Sequence, residues 1–472
     1  MQASPSFTKS FNALLAAANA QARQLEEDGV LSLALPLEGG DPLQLLPLLE
    51  PDRDGGEAGG DGFRFLWDGA PGLCIAASGR AHSLELSGPR RFELAQRFAR
   101  LCLSRLAGAG EELAHCPAQA RPRVLLAFGF FDAPLETGPA AVPGVQAVLP
   151  RWQLSRHGSH SWLRLQRPLG GGITPRSVAE ELWEKARQLE SYSTASAPAR
   201  PAVRVLQRTA WQERYRLAAE QALALVEEQR LEKLVLAVRQ QLELSESVDP
   251  LALLAPLRRT QGGSCRFLWQ RQPGSALLGA SPERLLTVRQ GQLRSDALAG
   301  TAPRDGGAAL LASTKDRLEH ELVVETILAV LTQAGLQPRR PRRPRLARHG
   351  QLVHLHTPIT APLGPLDPLT IAAALHPTPA VAGLPRREAI NWLRSLEPFE
   401  RGHYAAPIGW IDSAGDAELR VAIRSGTLRG RQLELTAGAG LVRSSAVEQE
   451  LQEVQLKLGV LQQQLNLPSL AT

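Results

Sequence analysis

Residues 231–240 read LEKLVLAVRQ, an unbroken apolar run from Leu234 to Val238 with Lys233 at its head and Arg239 just past its end. A run of that length, bounded by charge, predicts a buried strand. Short runs of the same kind recur as LLTV, LVHLH, IGWID, LRVAIR and LELTAGAGLV, several joined by Gly or Asp turns that suit antiparallel pairing. Between them the apolar spacing changes to that of a helix. Helices are expected over 211–230 and 314–334, where Val324, Ile327, Leu328 and Leu331 fall one turn apart. The last such segment, 446–465, carries Leu451, Val454, Leu458 and Leu461 on one stripe. The N-terminal 1–29 reads as an ordinary helix and not as a signal or transit peptide. The fold class is therefore mixed α+β, antiparallel sheet with helices outside.

The pattern also repeats. Residues 64–72 read RFLWDGAPG and residues 266–274 read RFLWQRQPG. Each copy has an aromatic strand, a Pro-Gly turn and a second apolar run, LCIAAS or SALLGAS, which is a hairpin signature. The offset is close to half the chain, so a pseudo-duplicated fold is expected. The copies part after the second run: one continues into GASPERL with Glu283, the other has Ala81 at the matching position. Polar, Gly- or Pro-rich stretches at 51–62 and 191–202 read as linkers. The division expected is 1–200, a degenerate half without catalytic residues; 201–465, the catalytic region; and a 466–472 tail.

Composition changes this picture little. No apolar run approaches the about 20 residues of a membrane span. The four cysteines, Cys74, Cys102, Cys116 and Cys265, include no C-x-x-C pair and read as buried free thiols in a reducing cytoplasm. The net charge of +6 is concentrated in PRRPRRPRLARHG at 338–350. That run lacks interleaved aromatics and its prolines suit a surface connection, so no nucleic-acid partner is expected. A modest positive charge also suits a site for an anionic small molecule.

The candidate chemistry lies in four places. A lysine kept dry, as Lys233 would be, can act as a base; the plainer reading is a strand end reaching for water. On the last helix Glu450, Glu453 and Lys457 form a second stripe about 100° round from the apolar one, either a solvated flank or two carboxylates and an ammonium facing a cavity. Glu319, in KDRLEHELVVE, lies one turn before Val323. Two such glutamates could hold Mg²⁺, which takes one or two carboxylates with water and substrate oxygens. DALAGTAPR and TAGAGLVRSS read as tight turns, or as backbone N–H groups open to a carboxylate. No P-loop, dinucleotide fingerprint, H-E-x-x-H, G-x-S-x-G or zinc-type spacing is present.

In order along the chain, EKLVLAVR, GASPERL, ALAGTAPR, KDRLEHELVVE, LVHLHTPI, LHPTPAVAGLP, EPFERGHYAAPIGW, VAIRSG, TAGAGLV and ELQEVQLK resemble the motif series of the chorismate-binding enzyme family. The resemblance covers nearly all of 210–462. It implies a sandwich of antiparallel sheets with helices outside, the fold of chorismate-utilising enzymes. It also implies a role for each matching residue. Lys233 resembles the base that activates water and Glu283 the acid that protonates the leaving hydroxyl. Glu319 and Glu453 resemble Mg²⁺ ligands, with Glu450 near the ion. Arg424 and Lys457 resemble the cations that hold substrate carboxylates. Gly300, Thr301, His354, Tyr404 and Gly438 resemble other substrate contacts. Ala406 departs from the glycine common there, and His356 has no assignment. Within the family, a lysine at 233, which the amine-transferring branches typically lack, and Ala299, where aminodeoxychorismate synthases commonly carry a nucleophilic lysine, imply the isochorismate-forming branch, an isomerase. Salicylate synthase is the alternative, and the amine-transferring synthases come behind it. The expected protein is a cytoplasmic monomer with Mg²⁺ as cofactor and chorismate as substrate, needing no glutaminase subunit or membrane. Its product would feed menaquinone or phylloquinone synthesis, or siderophore and salicylate synthesis.

Overall fold

A computed structural model describes residues 10–463 apart from 26–28, 50–61, 70, 107–115, 136–137, 139–140, 171 and 193–202. The stretches read as linkers lie almost wholly outside the described residues, and the tail entirely so.

In the first half the strands are β1 Val30–Glu38, β2 Arg64–Asp68, β3 Cys74–Leu86, β4 Arg123–Phe128, β5 Val145–His157 and β6 His160–Pro168. The second half begins with β7 Val205–Arg208, β8 Lys233–Leu244, β9 Cys265–Gln272, β10 Ser275–Ser281, β11 Arg284–Arg289 and β12 Gln292–Pro303. It ends with β13 Arg345–His349, β14 Leu352–Pro362, β15 Gly383–Leu384, β16 Pro407–Asp412, β17 Ala417–Val421, β18 Ser425–Arg429 and β19 Gln432–Leu441. Every ladder between these strands is antiparallel. The mixed antiparallel architecture read from the sequence is the one observed.

The two RFLW copies are β2 and β9, and they pair with each other. Phe65 faces Trp269, Leu66 faces Leu268 and Trp67 faces Phe267. Leu66 and Leu268 are the same position in the two copies, so a local two-fold axis passes between them. The pairing on either side obeys it. From β2 the sheet runs through β3, β5 and β6 to β1; from β9 it runs through β10, β18 and β19 to β8. Strand β1 is thus the counterpart of β8: in the ladder register Leu35 stands where β8 has Gln240, and the position matching Lys233 lies outside the described residues. Both faces of the seam are buried. Phe65, Trp67, Phe267 and Trp269 lie in one aromatic cluster, while Leu66 and Leu268 join the main core. Phe63 and Phe65 meet Trp269 edge-on at 5.2 and 5.9 Å, the arrangement the ring quadrupole favours.

The seam ends on charge. Arg266 pairs with Asp68 at 2.8 Å, with both side chains at most 2% exposed. Arg258 reaches the other carboxylate oxygen at 2.6 Å, and Cys74 Sγ donates to Asp68 Oδ1. Burial alone would raise the Asp68 pKa, but the two guanidinium groups outweigh it and hold the carboxyl below its ordinary value.

The helices are shorter than expected by a residue or more at most ends: Gln212–Glu227, Thr314–Gln333 and Val447–Gln462. Both Gly-rich pieces lie in strands, which agrees with the strand reading of LELTAGAGLV and not with the tight-turn reading of DALAGTAPR. TAGAGL belongs to β19, and ALAGTAP ends β12, where the register shifts between Ala299 and Ala302 and Gly300 has φ of +69°. In DALAGTAPR the run of small residues hides the period-2 signal. Residues 338–350 are more than a connection: Arg345–His349 pairs with β14, and Arg340 binds Glu321 and Glu325. All four cysteines are free; three are buried, but Cys116 is only partly so.

Replacing Asp68 with Ala leaves Arg266 buried without its counter-charge. Such a break is expected to lower stability by about 3–5 kcal/mol. Urea unfolding at neutral pH measures it, and a loss below about 1 kcal/mol would show that the seam does not need the pair.

Candidate active site

Lys233 opens β8, and its side chain is fully buried. Strand β8 is covered on one edge by β19 and, at its head, by β15, where Leu384 pairs with Lys233. The ammonium has no route to bulk water. It meets Glu319 from the helix Thr314–Gln333, Nζ to Oε1 3.0 Å, a close contact without hydrogen-bond alignment. Gly440 on β19 makes the meeting possible: a Cβ there would lie 2.4 Å from Glu319 Oε1 and 3.0 Å from Lys233 Cε.

In front of this pair is a cavity of about 50 Å³ lined by side chains from eight or more separate segments of the second half. Val235 comes from β8, Ala299 to Thr301 from β12 and His354 from β14, with Glu283 between β10 and β11. Tyr404 and Arg424 enter from the segments flanking β16 and β17, and Glu453 and Lys457 from the last helix. Larger cavities of about 610 and 380 Å³ lie elsewhere. The small one draws attention because buried acids and bases converge on it, which ordinary folding does not favour.

Glu283 is 4% exposed. Its pKa is pushed up to about 7, chiefly by burial, against the pull of Lys233, Arg424, Thr378 and Lys457. Thr378 Oγ1 is 3.5 Å from Glu283 Oε1, and the Ser281 hydroxyl accepts the Glu283 backbone N–H at 3.2 Å. A carboxylic acid that holds its proton near neutrality can donate it. His354 is buried, and its Nδ1 lies 3.0 Å from the Gly300 carbonyl and 3.3 Å from Thr301 Oγ1. The carbonyl can only accept, so the proton is assigned to Nδ1 and Nε2 is left as a bare acceptor. Burial holds this imidazole well below its usual pKa, so it is neutral.

The stripe on the last helix faces inward. Lys457 Nζ is 2.5 Å from Glu453 Oε1 and donates to the Gly438 carbonyl at 2.7 Å. Burial would raise the Glu453 pKa, but Lys457 beside it holds the carboxyl below its usual value. One turn earlier Glu450 pairs with Lys315 at 2.5 Å. Burial first, and then Glu453, push the Glu450 carboxyl up to about 7. Arg424 has φ of +52°, unusual for a residue with a side chain. Its backbone carbonyl accepts from Ala280 N. Its buried guanidinium makes no hydrogen bond or ion pair among the described residues, and burial lowers its pKa. Tyr404 is neutral, pushed up to about 12 by burial.

Every site residue read from the sequence lies in this cavity or directly against one that does. Gly438 serves the fold as well, since a Cβ there would lie 2.8 Å from the Leu236 carbonyl across the ladder. The residues missed are Gly440, Lys315, Thr378, Val235, Ala380 and Val381. For Gly440 a signal existed: it is two residues from Gly438 on one strand and shares its face. His356, unassigned before, has Nε2 3.2 Å from Asp296 in a structural network with Arg284 and Arg294. Beside Ala406 it is Ala405 that takes a positive φ, +62°.

Comparison with known proteins agrees with the geometry. The family described as chorismate binding enzyme matches residues 15–466. The chain is 37% identical over 299 residues to the salicylate biosynthesis isochorismate synthase of Pseudomonas aeruginosa, a match covering 61% of this chain and 61% of that protein, less than two thirds of its length. It is 32% identical over 321 residues to the isochorismate synthase MenF of Bacillus subtilis, covering 66% and 67%. Among solved structures, the menaquinone-specific isochorismate synthase MenF of Escherichia coli superposes with a TM-score of 0.73 at 26% identity, covering 96% of this chain and all of that one. Anthranilate synthase component I from Streptococcus pneumoniae shares the fold at a TM-score of 0.65 and 18% identity.

The raised Glu283 pKa has a consequence for stability. The folded protein holds this proton from the ordinary value of 4.5 up to about 7, while the unfolded chain releases it. Stability from Glu283 is therefore present below pH 4.5 and lost as pH rises to about 7. Glu283→Gln should gain on the wild type by up to ~3 kcal/mol between those limits. Denaturant unfolding across that range tests it; a pH-independent difference would mean that the carboxyl is not held protonated.

Proposed function

The chain belongs to the chorismate-binding enzyme family, and within it we propose a Mg²⁺-dependent isochorismate synthase that converts chorismate to isochorismate. The observation that carries this reading is the pairing of Glu283, an acid with a pKa of about 7, with the buried amine of Lys233 at the same cavity.

The reaction needs a proton taken from water on one side of the ring and a proton given to a leaving hydroxyl on the other. Lys233 receives the first as the water oxygen bonds to C2. Glu283 delivers the second as the C4–O bond breaks, because hydroxide leaves poorly unless protonated. The ring double bonds shift between the two carbons, and one water is consumed for each released. Arg424, whose guanidinium is otherwise unengaged, and Lys457 bind the two substrate carboxylates. His354 Nε2, a bare acceptor, orients a substrate hydroxyl, with Thr301, Gly300, Tyr404 and Gly438 completing the wall.

The donor set supports Mg²⁺. Glu319 and Glu453 line the cavity, Glu450 is beside them, and Glu450 Oε2 has no hydrogen-bond partner. No group of three or more His, Cys, Asp or Glu side chains is preassembled as a metal site among the described residues. That arrangement suits an ion that takes one or two carboxylates and fills its shell with water and substrate oxygens. Bound there, Mg²⁺ supplies positive charge against a substrate carboxylate.

Ala299 supports the hydroxylating branch over the aminating one, since it lines the cavity without offering an amine. The test is incubation with chorismate and Mg²⁺ in ¹⁸O-labelled water. Isochorismate labelled at its C2 hydroxyl is expected, with no glutaminase present and no response to ammonium. Activity should vanish with a chelator and return with Mg²⁺. Salicylate and pyruvate as main products would move the protein to salicylate synthase, and anthranilate or aminodeoxychorismate to the aminating branch.

Lys233→Ala and Glu283→Gln should each lower kcat by at least ~10²-fold, the usual scale of lost acid–base catalysis, with the fold retained. Steady-state kinetics alongside circular dichroism checks this, and near-wild-type turnover in either variant removes that residue from the mechanism.

A further inference from the structure

Of the 53 cationic side chains in the sequence only five are lysines, at positions 9, 185, 233, 315 and 457, and three of the five stand at this one site. Each pairs with its own glutamate: Lys233 with Glu319 at 3.0 Å, Lys457 with Glu453 at 2.5 Å and Lys315 with Glu450 at 2.5 Å. Two of these lysines already have work in the proposed reaction. Lys315 has none, and it does not line the cavity.

Lys315 and Glu450 come from facing helices, Thr314–Gln333 and Val447–Gln462. Lys315 stands one turn before Glu319 on its helix, and Glu450 three residues before Glu453 on the other. Each is therefore stacked directly beside a carboxylate of the cavity. The Glu450 side chain is 1% exposed. One oxygen is taken by Lys315, and the other, Oε2, has no hydrogen bond. The Ser445 hydroxyl, though near enough to help hold the charge, is aligned on the Gly440 carbonyl and the Val442 N–H instead. A buried carboxylate oxygen with no partner, beside two carboxylates at one cavity, is a ligand withheld.

We propose that Lys315 is a positioning residue that holds Glu450 away from the cation site and so keeps the affinity of the free protein for Mg²⁺ low. This rests on reading the cavity as an Mg²⁺ site. A third carboxylate in reach would turn a site of one or two protein ligands into a tight one that needs no substrate oxygen. Lys315 prevents this in two ways: it occupies Glu450 Oε1, and its positive charge stands beside the ion. A lysine suits the task because its compact ammonium pairs with one oxygen, whereas the arginine fork would take both.

Mn²⁺, a spectroscopic substitute for Mg²⁺, reads this without any turnover. Binding to the free protein is followed by loss of the free-ion EPR signal, with Mg²⁺ as competitor. Lys315→Met should bind Mn²⁺ at least tenfold more tightly than the wild type. Lys315→Arg, which keeps the charge, should remain weak, and Lys315→Met combined with Glu450→Gln should return toward the wild-type value. Thermal unfolding without metal shows that each variant is folded. Equal Mn²⁺ affinity in the wild type and a folded Lys315→Met overturns the role of Lys315 and leaves the ion site standing. Weaker binding in that variant overturns it too, and makes Lys315 a structural support. Absence of Mn²⁺ binding in every variant, including Lys315→Met, overturns both this inference and the Mg²⁺ reading on which it rests.

Discussion

An ammonium group cannot be buried alone. Taking a charge of that size out of water costs several kcal/mol even after the protein relaxes, and only a close counter-charge offsets it. Lys233 at the head of β8 imposes that constraint on the second half of the molecule. Its partner Glu319 must come from a helix outside the sheet, so the helix Thr314–Gln333 must lie across the strand ends. The strand between them, β19, must be bare where they meet, and Gly440 makes it so. Against β8 itself a second buried pair repeats the solution. Glu397 and Arg401 meet at 2.6 Å with almost no exposure, and Glu397 accepts from Ala237 N while Arg401 donates to the Val235 carbonyl. Arg401 also donates to the Val381 carbonyl. Two cavity walls, Val235 and Val381, are thereby pinned to one guanidinium.

The two-fold relation around β2 and β9 shows how far a shared architecture constrains chemistry. Both halves build a hairpin, add two strands and return to a first strand, β1 or β8. The first half has Ala81 where the second has Glu283. The Ala81 methyl cannot hold and give a proton, so the acid of the site occurs once. The N-terminal half stabilises the sheet through the aromatic seam and the Asp68–Arg266 pair, and the functional groups gather on the other side.

Much of this was legible in the sequence, for physical reasons. LVLAV announces a strand buried on both faces, and spacing alone puts Glu450, Glu453 and Lys457 on one edge of a helix. Roles for isolated residues such as Arg424 and His354 came from resemblance to a family, because nothing local marks them. What stayed hidden depends on contacts between distant segments. Lys315 reads as one charge among several on a polar helix turn until Glu450 is seen across from it. Gly440 looks like its neighbour Gly438, yet one admits a carboxylate and the other a neighbouring strand. Thr378, Ala380 and Val381 lie in LHPTPAVAGLP, a motif of the family resemblance, but the segment has no periodicity to say which of its residues face the cavity. DALAGTAPR, open to a turn reading, misled for a related reason: small residues that let groups approach also erase the alternation by which strands are recognised.

The charges of the site close on themselves when the proposed reactants are included. Glu319, Glu453 and, in its ionised form paired with Lys315, Glu450 contribute three negative charges. Lys315, Lys457 and Arg424 contribute three positive ones. Glu283 is neutral while it holds the proton it must give, and Lys233 is neutral while it is able to accept one. Mg²⁺ and a dicarboxylate substrate cancel each other. In the proposed reacting state, with Glu450 ionised and Lys233 as the free amine, these charges sum to zero, although five Glu, Arg and Lys side chains line a cavity whose other walls are largely uncharged. A largely buried chamber tolerates many charges best under that condition, since an excess of either sign would stand in a medium that screens it poorly. The same condition explains why a lysine outside the cavity belongs to the site: without Lys315 the walls would hold one carboxylate too many.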